Sequence, residues 1–409
     1  MTLNYQPELN IGTCGHVSDG KTTLVKMISG TSPMKYKTEK MRNLTIKLGY
    51  ANSFLYSCSC ENNNKFCYNP NSEFCKDCKQ KYIKQKYISF VDCPGHHSLM
   101  TTMLNGTSVM DIVLFVIAAD KKCPQQQTKE HLKALTIMNL NKVIIVQNKL
   151  DLVSRTQAIE NFKQIKDFIK DTIIQDAPII PLSAQLGINL NILCKYLINQ
   201  PKIIRNISDP FKMVIIRSFN INKPNCDYKT IKGGVIGGTI ISGTLKINDK
   251  IIIKPGCKIN DNYVPLEAKV VSIKSDIYNI EEAIPGGLIA LELTIDPFFT
   301  QADSLVGNIA EKHNTNEIIN SIKLEYHLLK DQKKKIKIKK NDDILLNVFS
   351  SNVQSKVLKK YKENNKKFIN IGNFNKPINI NKHENITLLK RINNQNLLIG
   401  YGIVLDKNI

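Results

Sequence analysis

The stretch Gly15-His16-Val17-Ser18-Asp19-Gly20-Lys21-Thr22 constrains this chain more than any other. Two glycines separated by four residues, then Lys and a hydroxyl residue, is the spacing of a phosphate-binding loop. Such a loop needs a strand before it and a helix after it. Leu9 to Cys14 reads as the buried strand, and Thr22 to Ser29 as the helix. With few bulky side chains, successive backbone N–H groups from Gly15 to Thr23 can point at phosphate oxygens, and the helix N-terminus adds its dipole. Lys21 would reach the β- and γ-phosphates, and the Thr22 hydroxyl would ligate Mg²⁺.

Three later stretches fit the same chemistry. A polar, lysine-rich segment from Thr31 to Asn43 runs into Leu44-Thr45-Ile46. Thr45 could place its hydroxyl on Mg²⁺ and its N–H on the γ-phosphate, ordering the segment only with a triphosphate. The alternative is an ordinary strand threonine. Next, an apolar strand delivers Asp92-Cys93-Pro94-Gly95-His96 at its C-terminal end, where α/β folds bind ligands. Asp92 would hold Mg²⁺ through water, the Gly95 N–H would approach the γ-phosphate, and His96 would orient an attacking water. His97 reads as a solvated neighbour.

The helical stretch His97 to Ser108, the strand Ile112 to Ala119, the helix Gln125 to Met138 and the strand Val143 to Val146 then alternate. The last ends in Gln147-Asn148-Lys149-Leu150-Asp151. The Asp151 carboxylate can accept from N1–H and N2–H of guanine, whereas adenine offers a lone pair at N1 and no 2-amino group. Asn148 can hold the loop, and the Lys149 stem can cover the purine. After Pro178 to Leu182, the backbone of Ser183-Ala184-Gln185 can meet guanine O6. Four such elements, in order and each at a strand end, define a guanine-nucleotide domain of alternating β and α elements.

Of the 11 cysteines, five cluster as Cys58, Cys60, Cys67, Cys75 and Cys78. Their Asn-, Lys- and Asp-rich surroundings cannot bury a core, so four thiolates on tetrahedral Zn²⁺ would pin the segment instead. Cys58, Cys67, Cys75 and Cys78 are the favoured set, with Cys60 competing for one place. No His, Asp or Glu is placed as an open-site ligand, so the expectation is a structural zinc rather than a catalytic one. The alternative is a degenerate knuckle without metal. The remaining cysteines are scattered beside apolar residues and read as small buried hydrophobes.

With 409 residues and 42% hydrophobic content, the chain can build two or three cores. It has no apolar run of about 18 residues, and Met1 to Glu8 lacks a secretory pattern, so a cytoplasmic protein without a membrane partner is expected. A formal net charge of +22 fits a phosphate-rich partner such as RNA, but also the coding bias of a chain rich in Lys, Asn and Ile. From about Asp209, short β-rich runs separated by Gly, Asn, Asp and Pro turns indicate small barrels. Lys232 to Ile240 is too Gly-rich for a plain strand, which suggests close backbone packing or a bulge. The run Lys333 to Lys340 reads as a solvated hairpin tip or as an RNA or ribosome contact.

Asn10 to Leu24, Asn43 to Ala51 and Ser89 to His96 resemble a translational GTPase. Within that group they resemble the gamma subunits of the archaeal and eukaryotic type of initiation factor 2. The cysteine-rich insertion is similar to that family's zinc knuckle, and Ile215 to Pro224 with the Gly-rich run is similar to its second domain. The resemblance covers nearly the whole chain and weakens after about Leu329. It implies a P-loop GTPase domain over residues 1–203, with the knuckle at about 56–80. Two β-barrels would follow, over residues 204–312 and 313–409, the latter divergent and Lys-rich. It further implies a GTP/GDP switch that carries methionyl initiator tRNA to the small ribosomal subunit and hydrolyses GTP slowly without partners. Alpha and beta subunits would complete a heterotrimer, and GTPase-activating and exchange factors would act on it. Asp19 departs from the family pattern, which usually has His there, so the electrostatics of the loop should differ.

Competing readings are an elongation-type or selenocysteine-specific tRNA carrier, the GTPase subunit of a sulfate-activating enzyme, and a scaffold that binds GTP without hydrolysing it. The zinc insertion and second-domain stretch argue against the first. Nucleotide-dependent tRNA binding would exclude the second. Lys21, Thr45, Asp92 and His96, all present, weigh against the third.

Overall fold

The computed structural model describes the chain apart from residues 1–4, 35–38, 40, 42–44, 59–64, 69–72, 76–77, 97–98, 313–318, 330–335, 393–394 and 409, and apart from the side chains of 65–67, 228 and 395. Two compact units are present, Met1–Ile204 and Arg205–Ile409.

The first unit is built on a seven-stranded sheet of β1 (Leu9–Cys14), β2 (Gly49–Cys58), β3 (Lys65–Tyr68), β4 (Ile83–Asp92), β5 (Ile112–Ala118), β6 (Val143–Asn148) and β7 (Ile179–Pro181). Their spatial order is β3-β2-β4-β1-β5-β6-β7. From β4 to β7 neighbours run parallel, while β2 and β3 form an antiparallel edge. Parallel strands covered on both faces must be apolar throughout, and β1, β5 and β6 are buried at every position. Antiparallel β2 instead alternates buried and half-buried residues over most of its length.

The helices are α1 (Lys21–Ser29), α2 (Met100–Thr107), α3 (Gln126–Ile137), α4 (Arg155–Ile169) and α5 (Leu190–Ile198). Helix α1 buries Leu24, Val25 and Ile28 at helical spacing and stops where Gly30 turns left-handed, its N–H returning to the Lys26 carbonyl. Helix α4 starts on a capping box between Ser154 and Gln157. The core joins Ile11 and Leu114 of the sheet to Leu24 of α1 and to Leu193 and Leu197 of α5. Beside it, the buried Lys86 ammonium donates to the carbonyls of Leu197 and Gln200, so α5 is tied to β4 by a charge as well as by packing.

The second unit holds two closed six-stranded barrels. In the first, Lys250–Ile259, Ile309–Glu311, Lys212–Phe219, Val235–Ser242, Ile289–Leu293 and Asn262–Ser275 are neighbours in that order, and the last pairs back with the first. The Gly-rich run shows both expected features. A Cβ on Gly238 would stand 1.9 Å from the Val214 carbonyl oxygen, and the register shifts between Ile215 and Arg217 opposite it. The second barrel runs Ile322–Leu328, Lys366–Gly372, Ser351–Glu363, Asp343–Val348, Asn385–Ile392 and Gln395–Lys407, closing on the first strand. Within this unit the barrels touch through Ser350, whose hydroxyl donates to the Ile215 carbonyl at 2.8 Å, and through the Lys212–Glu384 ion pair at 3.1 Å. Lys333 to Lys335 lie outside the described residues, but Ile338 from the same run is fully buried in the barrel core, so the run is not wholly solvated. No helix among the described residues is long and apolar enough to cross a membrane.

Candidate nucleotide-binding site

Register brings the predicted residues together. Because Thr13 of β1 lies opposite Asp92 of β4, and Ala118 of β5 opposite Asn148 of β6, the strands deliver the phosphate loop, Asp92 and Asn148 to one edge of the sheet. Gly15 and Gly20 sit at φ 139° and 93°, in the region that favours glycine. A Cβ on Gly20 would stand 2.2 Å from Asn148 Nδ2, and one on Gly15 would stand 2.1 Å from the Val116 oxygen. A cavity of about 300 Å³ opens beside the loop, lined by Val17, Ser18, Gly20 to Thr23, Met34, Thr45, Gly95 and Lys149.

Lys21 is buried, and its Nζ donates to the carbonyls of Gly15 at 2.9 Å and His16 at 2.6 Å, leaving its third hydrogen for another acceptor. Burial lowers its pKa, against the pull of Asp19 and Asp92. Asp92 is itself fully buried. Its Oδ2 accepts from Thr22 at 2.7 Å and from Thr45 at 3.4 Å, its Oδ1 from Thr13 at 2.8 Å, and the Thr22 and Thr45 hydroxyls are 2.9 Å apart. Burial raises the Asp92 pKa, while these hydroxyls and Lys21 oppose the rise. Two hydroxyls and a carboxylate converging in this way form an all-oxygen donor set that fits Mg²⁺. Thr45 lies outside any strand, which begins only at Gly49. Its position is held from behind by buried Glu39, whose Oε1 accepts from the N–H groups of Ile46 and Lys47.

On the other side, Asn148 bridges two loops. Its Nδ2 donates to the Asp19 carbonyl at 2.8 Å, and its Oδ1 accepts from the Ala184 N–H at 2.9 Å. Lys149 is left-handed at φ 66°, with its ammonium 3.5 Å from Asp120. The Ser183 hydroxyl donates to Asp151 Oδ1, and Gln185 is exposed beside them. His96 is half-buried, does not line the cavity, and accepts the Leu99 N–H at its carbonyl; His97 lies outside the described residues.

Asp19 places a buried carboxyl group in the loop. Its buried carboxylate accepts the His16 N–H at 3.1 Å and pairs with Lys121 at 3.6 Å. Burial raises its pKa, against the pull of Lys21 and Lys121. The His16 pKa is pushed down to about 4 by burial and by Lys121 and Lys21. Sequence reasoning missed His131 of α3, which is buried and accepts the Gly15 N–H at Nδ1, 3.0 Å away. Its only signal in the sequence is a polar residue on the buried stripe that includes Thr128, Leu132 and Leu135.

Cys58, Cys75 and Cys78 bring three sulfurs within 4.8 Å of one another, with Cys58 and Cys78 at 2.9 Å. An edge of a Zn–S tetrahedron is about 3.8 Å; the three sulfurs lie close enough together for one zinc, with Cys58 and Cys78 nearer each other than that edge. Cys60 and the side chain of Cys67 lie outside the described residues.

The family described as elongation factor Tu GTP binding domain matches residues 6–202, and that described as initiation factor eIF2 gamma, C terminal, matches residues 320–404. The eukaryotic translation initiation factor 2 subunit gamma of Encephalitozoon cuniculi is 42% identical, over 99% of this chain and 94% of the relative. The eukaryotic translation initiation factor 2 subunit 3 of Drosophila melanogaster is 38% identical, over 98% and 89%. Among solved structures, translation elongation factor SelB from Methanococcus maripaludis, in complex with a GTP analogue, superposes with a TM-score of 0.74. It covers 99% of this chain and 80% of that one at 21% identity, a likeness of fold.

Proposed function

The chain belongs to the gamma-subunit family of translation initiation factor 2, and from that membership we propose that it is a GTP-driven carrier of methionyl initiator tRNA to the small ribosomal subunit. The observation that carries this reading is the convergence of Thr45, Thr22 and Asp92. A residue from the segment after α1 meets the phosphate-loop hydroxyl and the strand-end carboxylate, which is the geometry a γ-phosphate sensor needs.

In this reading residues Gly15 to Thr23 offer backbone N–H groups to the phosphates, and Lys21 turns its ammonium to the β- and γ-oxygens. Thr22, Thr45 and Asp92 would hold Mg²⁺, which would supply positive charge against the phosphate oxygens. Asp151, steadied by Ser183, accepts from guanine N1–H and N2–H; Asn148 keeps the base loop and phosphate loop in register, Lys149 covers the ring, and the backbone of Ala184 and Gln185 meets O6. Gly95 donates its N–H to the γ-phosphate, and His96 swings in to orient water. His96 lies outside the cavity lining, so hydrolysis is slow until a partner completes the site. Hydrolysis frees Thr45, releases the segment before it and lowers tRNA affinity, a shift in population.

The domain limits in this reading are residues 1–203, 204–312 and 313–409, and Cys58, Cys75, Cys78 and one of Cys67 or Cys60 hold a structural zinc. The chain acts in the cytoplasm with alpha and beta subunits of the same factor and with activating and exchange factors. The test is affinity for methionyl initiator tRNA with a GTP analogue or GDP, against elongator methionyl-tRNA, at fixed salt because phosphate contacts are salt-dependent. Tighter binding with the GTP analogue and a preference for initiator tRNA are expected. Equal binding of both tRNAs would favour an elongation-type or selenocysteine-type carrier. Absence of binding even with alpha and beta subunits present would overturn the carrier reading.

A further inference from the structure

We propose that His131 is a positioning residue for nucleotide binding: together with Gln127, one turn earlier on α3, it fixes the entry of the phosphate loop so that the loop's remaining N–H groups face the phosphates. This rests on the nucleotide-site reading above and adds to it a residue from a helix 116 positions away in sequence.

Residues four apart on a helix share a face, and here that face is turned to the loop. His131 Nδ1 accepts the Gly15 N–H at 3.0 Å, and Gln127 Oε1 accepts the Val17 N–H at a longer 3.4 Å. The next peptide along is also held, since the Gly15 carbonyl accepts from Lys21 Nζ. The loop entry is therefore fixed at consecutive peptide units, by an imidazole on one and by the phosphate-seeking ammonium on the other. On its remaining side Gly15 packs so closely on β5 that a Cβ there would reach the Val116 oxygen. A ring nitrogen that accepts must carry its proton on Nε2 and stay neutral. Burial, with Lys21 and His16 nearby, keeps the imidazole in that form.

A leucine at 131 would keep most of the packing and remove the acceptor. The buried Gly15 N–H would then be unpaired, so the chain would lose some stability, and the loop could regain a partner only by leaving the geometry that faces the phosphates. Nucleotide binding would have to draw that N–H back unpaired, and the loss would appear in affinity. Asparagine places Oδ1 as many bonds from Cβ as histidine places Nδ1, whereas glutamine places its acceptor one bond farther.

The experiment is titration of the full chain with a fluorescent GDP analogue, alongside unfolding temperatures. His131→Leu is expected to bind about 10- to 100-fold more weakly, with a lowered unfolding temperature. His131→Asn should return to within about threefold of the unmodified chain, and His131→Gln should stay weak. Equal affinity of the unmodified and Leu chains would overturn this inference and leave the nucleotide site standing. So would a parallel fall in affinity and unfolding temperature for Leu and Asn, the mark of packing alone. An unmodified chain that does not bind GDP would overturn both.

Discussion

Asn148→Ala removes a side chain that holds two loops in register, and its consequence can be worked from the structure. The amide is buried at the end of β6 and satisfies the Asp19 carbonyl and the Ala184 N–H at 2.8 and 2.9 Å. Truncation leaves both backbone groups buried and unpaired, at about 1–3 kcal/mol each, or about 2–6 kcal/mol together. For a unit of this size, about 2–4 °C of unfolding temperature corresponds to each kcal/mol, so the expected fall is about 4–24 °C. Scanning calorimetry on the full chain reads it, in the transition that moves upward when GDP is added and so reports the nucleotide unit. Asn148→Asp separates the hydrogen bonds from packing. It keeps the shape but sets a carboxylate oxygen against the Asp19 carbonyl, and should be at least as damaging as alanine. A fall of less than about 2 °C in both variants, with unchanged GDP affinity, would refute the bridging argument.

Asp151→Asn should lose guanine nucleotides by a factor on the order of 10⁴ and gain xanthine nucleotides, whose 2-oxo group pairs with the amide; competition binding with GDP and XDP checks it. The full chain should carry one zinc, measured by atomic emission. Cys75→Ser should lose it and expose residues 56–80 to protease while GDP affinity holds. Acid stability should depend on His131 and His16, whose pKa values burial pushes down to about 3 and about 4. Below about pH 6.5 the unfolded chain binds protons that the folded chain refuses, so these groups make stability fall as pH drops through that window. Raised Asp19 and Asp92 act in the opposite sense but are common to both chains compared. Against the unmodified chain, His131→Leu should therefore gain ground by up to about 1.4 kcal/mol per pH unit between about pH 6 and 4, read from unfolding temperatures across that range.

Much of the nucleotide unit is legible along the chain because its signals are local. A short all-apolar run rich in β-branched residues, such as Ile112 to Ala118, favours a strand covered on both faces, and the glycines at 15 and 20 answer to backbone angles that few other residues adopt. The Asp151 carboxylate and the Thr22 hydroxyl declare their chemistry by type and spacing alone. The same holds for the Gly-rich run near 238, where missing side chains announced a close backbone neighbour.

Other features depend on residues that meet only after the sheet sets its register. Thr45 could have been a strand residue; it is instead drawn to Thr22 and Asp92, and Glu39 braces it from behind. Ile338 sits in a lysine-rich run yet enters a barrel core, because closing the barrel leaves a space that an apolar side chain must fill. His131 reads in sequence as one polar residue on a buried helical stripe, and becomes an acceptor for the phosphate loop only where α3 packs against β1's end. Periodicity and residue type constrain a few neighbours on each side, whereas a hydrogen bond across 116 residues is chosen by how strands and helices pack. The chemistry of the loop was therefore written locally, and its bracing was decided by tertiary contact.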